Sequence, residues 1–361
     1  MHLNMLKLDK NIGSSFYKLK KEDKEFEVLS NHKVHFTHHV THYYSGRNAI
    51  YALLEEITST KSIRTIWLPN YYCHNVKNSI TKNFEIIKFY EINPFEPDSG
   101  FNFENFTSVN DIIILNNYWG LYDYNYSDNP KTRAIVIEDH SHGWLSKQCI
   151  HSKADYCIAS IRKAYPIPLG AITWRPKLKK IAFYENGQDV AMEKAYEYLK
   201  ASLSSKRNFI KTNVTDSAKK HLAYLAKGEN CITESNSYVL PKSKVIDDIN
   251  KYMFFDPNEI KQINLDFLYN KLQETKAFKV IRRNGFTSFG LLLLFNNLED
   301  FTDFKTYLIK QNIFPANLWP SNNLDLEWKY FYNIHVDFRY TIDDMAFLAE
   351  TINNWIYKKQ N

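Results

Sequence analysis

Short apolar runs recur along the first half of the chain without the alternation of polar residues that marks a half-exposed strand. The clearest lie at 111–115 (DIIIL) and 134–137 (AIVI). Further strands are predicted at 63–68, 85–92, 156–160 and 171–174. Unalternated runs of this length are typical of strands buried on both faces of a parallel sheet. Because segments with helical spacing at 48–57 and 75–82 lie between the early runs, the pattern predicts an α/β sheet covered by helices.

The pattern changes in the second half of the chain. Residues 190–227 are helical and charged, which predicts a connector between domains. Beyond it the expected elements are two strands (278–282 and 288–295) and two helices (301–311 and 343–357). The first 40 residues are polar and irregular, which is typical of an arm or of lead-in strands. Three parts are therefore predicted: an N-terminal arm (1–40), a large α/β domain (41–235) and a smaller α+β domain (236–361).

Composition narrows the class of protein. With 44% hydrophobic and 24% charged residues, the 361-residue chain is not wholly disordered. The net charge of +6 is mild, and the densest basic run (18–24) is interleaved with acids, so we expect no nucleic-acid partner. Four cysteines without a CxxC pair favour a reducing cytoplasm over a disulfide framework. No apolar stretch approaches a membrane span, and no signal peptide is apparent, so a cytoplasmic protein is expected.

Histidines cluster at 32–42, and this cluster has two interpretations. One is a metal site, and the other is a polar segment whose histidines share no face of a helix or strand. No HExxH or comparable ligand spacing is present, so we predict no metal site.

Polar and ionisable residues follow each predicted strand. Glu138 to Gly143 follow one strand, and Ile161, Arg162 and Lys163 follow the next. Ligands of open parallel sheets bind beyond the carboxyl ends of the strands, so these groups are expected to converge on one edge. Just before the first helix, the small-residue turn Ser45–Gly46 would offer free N–H groups and the positive end of a helix dipole to a phosphate.

The combination fits pyridoxal 5′-phosphate. That cofactor needs a lysine for its covalent (Schiff base) link, an acid beside its pyridine nitrogen, a phosphate site and an aromatic side chain to stack on. Lys163 follows Asp139 by 24 residues, and the helix start at Gly46 supplies the phosphate site.

The order of the motifs resembles the DegT/StrS-type aminotransferases, which are fold-type I pyridoxal-phosphate enzymes. The resemblance runs over about residues 43–345. It rests on SGRNAI, LPNYYCHNV, YEINP, NNYWG, IEDHSHG, SIRKAYPIPLGAI and HVDFRYTIDDM, each in the order of the family's own segments. It implies a three-layer α/β/α fold with a mostly parallel sheet and a smaller C-terminal domain.

The resemblance also implies roles for single residues. Lys163 would be the Schiff-base lysine, Asp139 the partner of the pyridine nitrogen, His142 a contact of the phenolic oxygen and Tyr72 the stacking aromatic. The residues implied to hold the phosphate are Gly46, Arg47, Asn48 and Ser160. His140 is left without a role.

The chain departs from the family pattern at several of these positions. Arg47 replaces a small threonine, His142 replaces a glutamine, and Cys73 stands where a phenylalanine or tryptophan usually stacks. Tyr72 or Tyr71 would therefore have to take the stacking position. These departures affect the substrate that the resemblance implies more than the cofactor that it implies.

By this resemblance the protein is a homodimeric aminotransferase. It would move an amino group from an amino acid, with glutamate expected, to a keto acceptor. The family acts mainly on nucleotide-linked keto-sugars, as in surface polysaccharide or natural-product biosynthesis. Two alternatives stay open: a lyase or dehydratase using the same cofactor, and an inactive member that acts as a binding protein.

Overall fold

A seven-stranded sheet forms the centre of the larger part of the chain. The computed structural model describes residues 11–177, 183–235, 237–320, 322 and 324–360. The strands are β1 (Val40–Tyr43), β2 (Thr65–Pro69), β3 (Ile87–Tyr90), β4 (Asp111–Asn116), β5 (Ile135–Asp139), β6 (Tyr156–Ala159) and β7 (Ala171–Trp174). Their order across the sheet is β1-β7-β6-β5-β4-β2-β3. The predicted mostly parallel sheet is confirmed, with β7 running antiparallel to β6 and β1.

Burial explains why the strands lack polar alternation. Every residue of β4, β5, β6 and β7 is buried, whereas β3 at the edge of the sheet is partly exposed. Asn116 pairs with Asp139 at the carboxyl ends of β4 and β5, and Ser160 follows β6. The polar ends of three adjacent strands therefore meet at one edge of the sheet.

Helices cover this sheet. They are α1 (Lys24–Ser30), α2 (Gly46–Thr60), α3 (His74–Asn83), α4 (Lys147–Ile150), α5 (Val190–Thr212) and α6 (Thr215–Glu234). The sequence predicts a charged helical connector at residues 190–227. In the structure this segment falls in α5 and α6, which pack along each other and are here called the α5–α6 hairpin. Asn213 ends α5 in the left-handed conformation (φ 55°), which asparagine tolerates better than most residues. A Cβ on Gly228 would lie 2.6 Å from Leu199 Cγ, so glycine permits the close packing of the hairpin.

A second sheet lies in the C-terminal part of the chain. It is antiparallel, in the order β10-β9-β8, and consists of β8 (Phe278–Ile281), β9 (Leu291–Phe295) and β10 (Tyr330–Ile334). The remaining helices are α7 (Ser243–Tyr252), α8 (Asn258–Lys271), α9 (Leu298–Ile309) and α10 (Ile342–Gln360). This sheet and α8, α9 and α10 share an apolar core of their own. Helix α7 instead buries Val245 and Ile249 in the core of the large sheet.

Residues 11–19 form a strap between the two cores, here called the N-terminal strap. Ile12 is buried in the C-terminal core, and the Gly13 N–H donates to the Tyr340 hydroxyl at 3.1 Å. At the other end, the Lys18 N–H donates to the Leu203 carbonyl on α5 at 3.1 Å. The predicted arm thus includes this strap and helix α1, while its residues 1–10 lie outside the described residues. Within the described ranges, no helix is both long and apolar enough to cross a bilayer.

Candidate active site

Asp139, at the end of β5, is a buried carboxylate with two hydrogen-bond donors. The Tyr72 hydroxyl donates to Oδ2 at 2.5 Å, and the Ser141 N–H donates to Oδ1 at 2.9 Å. Burial, and then the charge of Asp139, raise the pKa of Tyr72 well above its ordinary value, so the phenol keeps its proton and donates it. Because a carboxylate offers about four lone-pair positions, Asp139 retains room for a further donor.

Lys163 ends a short 3₁₀ turn (Ile161–Lys163) that follows β6. Its Nζ lies 3.3 Å from Nε2 of His142. Burial, and then the charge of Lys163, lower the pKa of His142 well below 6.5, so the imidazole is neutral. A neutral ring facing an ammonium accepts at Nε2, and its proton then sits on Nδ1. That buried Nδ1 has no hydrogen-bond partner among the described residues.

Trp319 is an aromatic wall of the site that the sequence did not reveal. Its ring stacks on His142 with centroids 5.0 Å apart and lies 5.8 Å from Lys163 Nζ. Trp119 stacks on the same imidazole at 5.1 Å. Trp319 has a φ of 53°, which is uncommon for a bulky residue. It comes from the connection before β10, and no motif in the sequence links that segment to the strand ends.

The start of α2 faces Ser160. The Ser45 side chain caps the helix by accepting from the Asn48 N–H at 3.3 Å. The first N–H groups of a helix have no carbonyl within the helix to donate to, so those of Gly46 and Arg47 remain for a ligand. A Cβ on Gly46 would lie 3.4 Å from Ser160 Cβ and would fill part of the cradle between them.

Arg47 is a buried cation whose hydrogen bonds go to neutral carbonyls. Its guanidinium donates to the Ser235 carbonyl at 2.6 Å and to the Thr233 carbonyl at 3.2 Å, while Nε has no partner in the described part of the chain. Burial lowers its pKa from the ordinary value for arginine. A buried cation paired in this way favours an anion close by.

Asn48 points elsewhere. Its Nδ2 donates to Ser235 Oγ at 3.3 Å and to the Ser237 carbonyl, so its amide ties α2 to the segment after α6.

Two cavities meet at Lys163. The helix-start cavity, about 690 Å³ of open space, is lined by five of the predicted site residues: Gly46, Arg47, Asp139, Ser160 and Lys163. The hairpin cavity, about 890 Å³, is lined by His142 and Lys163 together with parts of the α5–α6 hairpin and the N-terminal strap. Trp319 borders both. Tyr72 and Asn48 line neither; Tyr72 contacts Asp139 from behind, and Cys73 lines the helix-start cavity.

The residues present fit pyridoxal 5′-phosphate. Arg47 Nε and the start of α2 offer donors to a phosphate, and Asp139 offers a free lone pair to a ring N–H. Lys163 offers an amine between these two ends.

A different cluster lies on the opposite face of β5. Glu138, His140 and Cys157 are buried with potential ligand atoms within 4.8 Å of one another. Asn117 accepts the Tyr122 N–H at Oδ1, so its amide donates to His140 Nδ1 at 3.3 Å. The proton of His140 therefore sits on Nε2, the atom 2.9 Å from Glu138. With this tautomer Nε2 donates to Glu138 and Nδ1 accepts from Asn117, so neither ring nitrogen of His140 has a lone pair free for a metal ion.

Comparisons with known proteins place the fold. No family model matches the chain, and no curated protein matches it in sequence. Among solved structures, a putative sugar aminotransferase of Streptococcus pneumoniae in its PMP form aligns with a TM-score of 0.58 at 10% identity, covering 97% of this chain and 98% of its own. A sugar aminotransferase of Micromonospora echinospora gives 0.55 at 12% identity, with 91% and 90% covered.

A DegT DnrJ EryC1 StrS aminotransferase of Brucella abortus gives a TM-score of 0.56 at 10% identity, covering 93% of this chain and 96% of its own. The chain therefore has the fold of the fold-type I pyridoxal-phosphate aminotransferases. The fold expected from the sequence resemblance is confirmed, and the neighbours that share it include sugar aminotransferases of the DegT/StrS type.

Proposed function

We propose that the protein is a pyridoxal-phosphate-dependent aminotransferase. The observation that carries this proposal is the convergence of Lys163, Asp139 and the start of α2 on one cavity at the carboxyl ends of β5 and β6. Solved structures with this fold include a putative sugar aminotransferase in PLP and PMP forms.

Each residue has a role in the proposed site. The N–H groups of Gly46 and Arg47, the Arg47 side chain and Ser160 hold the phosphate. Asp139, oriented by Tyr72, holds a proton at the ring nitrogen. When bound, the cofactor supplies an aldehyde carbon that bonds to amines and a ring that accepts electron density.

Lys163 and His142 handle protons on the other side of the site. Lys163 would hold the cofactor covalently, and its amine would move a proton at the donor's α-carbon. His142 accepts from Lys163 at Nε2 and is proposed as the contact of the cofactor's phenolic oxygen. Trp319 supplies the aromatic surface that the sequence assigned to Tyr72.

The proposed substrates follow the resemblance. An amino donor, glutamate, leaves as its keto acid, and a keto acceptor receives the amino group. A nucleotide-linked keto-sugar used for surface polysaccharide or natural-product biosynthesis is the acceptor proposed first. We propose a homodimer in which the neighbouring subunit completes the site. The four free cysteines support a reducing, cytoplasmic setting.

The test is spectroscopic. Protein purified with pyridoxal phosphate should show the visible band of a lysine-linked cofactor, and borohydride should fix the cofactor to Lys163. Lys163→Ala should lose both signals. Lys220→Ala, which changes an exposed lysine on α6 paired with Asp216, should keep them.

Adding glutamate should remove the band and release 2-oxoglutarate. A colourless protein would contradict the cofactor. A coloured protein that releases no 2-oxoglutarate would contradict a glutamate-dependent aminotransferase. Light scattering measures the mass, and a single-chain mass would contradict the homodimer.

A further inference from the structure

An ion pair stands at the border between the two cavities. The Arg162 guanidinium contacts Glu229 Oε1 on α6, and both side chains line the helix-start cavity and the hairpin cavity. Arg162 directly precedes Lys163. Its side chain is 24% exposed and that of Glu229 is 43% exposed, so the pair is reachable from solvent.

The other arginines of these cavities are held differently. Arg339 donates to Asp337 at two points, from Nε to Oδ1 and from NH2 to Oδ2, each at 2.8 Å. The NH1 of Arg339 donates to the Ser14 and Ser15 carbonyls. Arg47 lies at the phosphate end of the helix-start cavity. Of the arginines that line the cavities within the described ranges, Arg162 is the one whose carboxylate partner is itself partly exposed.

The chemistry of an amino donor places a carboxylate near this arginine. An α-amino acid carries its carboxylate on the carbon that bears the amine, and that amine must reach the position held by Lys163 Nζ. The carboxylate then lies within a few bond lengths of Lys163. Arginine binds carboxylates through two parallel hydrogen bonds, which gives both affinity and orientation.

Glu229 carries the same functional group as the donor. Partly exposed ion pairs contribute little, so an incoming carboxylate can displace Glu229 from Arg162. When the cavity holds no donor, the Glu229 carboxylate keeps the guanidinium at the border of the cavities. When the donor arrives, its carboxylate and that of Glu229 compete for one cation.

We propose that Arg162 binds the carboxylate of the amino donor and that Glu229 is a built-in competitor for the same guanidinium. This inference rests on the proposed function, because it concerns the donor of that reaction. It makes Arg162 a specificity-determining residue for acidic substrates and Glu229 a positioning residue that sets their affinity.

The experiment measures carboxylate binding by calorimetry in the cofactor-loaded protein. The probe is 2-oxoglutarate, which has no amine to transfer, and its dimethyl ester is the uncharged control. Glu229→Gln keeps the shape of the side chain and removes its charge, so it should tighten 2-oxoglutarate binding by up to about fivefold. Glu197→Gln, a matched change on α5 at a pair with Lys244, should leave binding unchanged.

Changes at Arg162 test whether its guanidinium binds the carboxylate. Arg162→Gln should weaken 2-oxoglutarate binding by about tenfold or more, and Arg162→Lys, which keeps the charge but not the fork, by less. None of these variants should change binding of the ester. Unchanged affinity in Arg162→Gln, or weaker binding in Glu229→Gln, would overturn the inference; if Arg162→Gln does not fold, Arg162→Lys and Glu229→Gln still decide it.

The visible spectrum of the same samples separates the two proposals. If the visible cofactor band is normal and Glu229→Gln leaves the affinity for 2-oxoglutarate unchanged, the inference fails and the proposed function is unaffected. Absence of the band defeats the proposed function, and the affinity of each variant for 2-oxoglutarate still reports on Arg162.

Discussion

Glu138 and Asp139 are adjacent acids at the end of β5, and their side chains lie in different surroundings. Asp139 lines the helix-start cavity with Lys163 and accepts two hydrogen bonds. Glu138 accepts from Tyr126 at 2.8 Å, Ser152 at 2.6 Å and His140 at 2.9 Å. Successive side chains of a strand point to opposite faces, which separates the two acids completely.

The contrast shows that burial and residue type do not by themselves make an acid functional. Both carboxylates are more than nine-tenths buried. The acid with spare lone pairs beside a lysine and a cavity can act on a ligand. The acid whose two oxygens already accept three donors instead holds β5, the segment after α4 and the loop at Tyr126 together.

The largest effect is expected for Asp139→Asn. The amide cannot stabilise a proton on the ring nitrogen, so the rate of amino transfer should fall by about 10²-fold or more, the scale of a lost proton-handling group. Single-turnover kinetics with glutamate measure this rate. A rate within a few-fold of the parent would remove Asp139 from the reaction.

Glu138→Gln is the matched change on the other face. An amide presents an NH₂ group to donors that need acceptors, so the free energy of unfolding should fall by about 1.5–3 kcal/mol, the value of hydrogen bonds to a charged group. The cofactor spectrum should be unchanged. Denaturant unfolding provides the measurement, and a variant that keeps its stability but loses the visible band would reverse the assignment of the two faces.

The stabilisation by Glu138 should depend on pH. Burial raises the pKa of Glu138, but hydrogen bonds from His140, Ser152 and Tyr126 outweigh burial and leave the pKa below its ordinary value of 4.5. A lowered folded-state pKa means that the stabilisation is present above the unfolded-state pKa and is lost as pH falls through the folded-state pKa. The stability gap between parent and Glu138→Gln should therefore be constant from pH 7 to about 5 and shrink below 4.5. A gap that widens on acidification would contradict this sign.

The smallest effects are expected for the two tyrosines behind the acids. Tyr126→Phe and Tyr72→Phe each delete one hydroxyl that donates to a carboxylate, and each should cost about 1.5 kcal/mol of stability, the lower end for a hydrogen bond to a charged group. Tyr72→Phe should also alter the cofactor spectrum, because its hydroxyl orients Asp139. Tyr126→Phe should leave the spectrum unchanged. Equal spectra in both variants would mean that Tyr72 does not act through Asp139.

Much of the sheet could be predicted because buried parallel strands have a strong signature. The runs at 111–115 and 134–137 correspond to β4 and β5, and the polar residues that follow them meet at one edge. The direction of β7 could not be predicted, since a four-residue apolar run contains no information about orientation. The sequence predicts one helical segment over residues 190–227 rather than two helices, because the turn at Asn213 contains no proline or glycine.

Some residues of the candidate site could likewise be predicted from the sequence, and others could not. Lys163, Asp139 and the start of α2 belong to local motifs, so the sequence could place them together. Trp319 comes from the C-terminal part of the chain, and its contact with His142 depends on how the two sheets pack. The ion pair of Arg162 with Glu229 is equally long-range. The direction of a side chain also could not be predicted from the sequence. Asn48 and Tyr72, for example, lie beside the helix-start cavity without lining it.

The N-terminal strap limits how far the two parts of the molecule can move apart. Lys206 on α5 donates to the Ser14 hydroxyl and the Ser15 carbonyl, and Arg339 beyond β10 donates to the carbonyls of both serines. A hinge motion that widened the hairpin cavity would have to break the hydrogen bonds that these two buried side chains donate to Ser14 and Ser15. The N-terminal strap, as well as the cavity itself, therefore limits access to Lys163. In a chain shortened to begin at β1, we expect the two parts of the molecule to move apart more easily and substrates to bind more weakly.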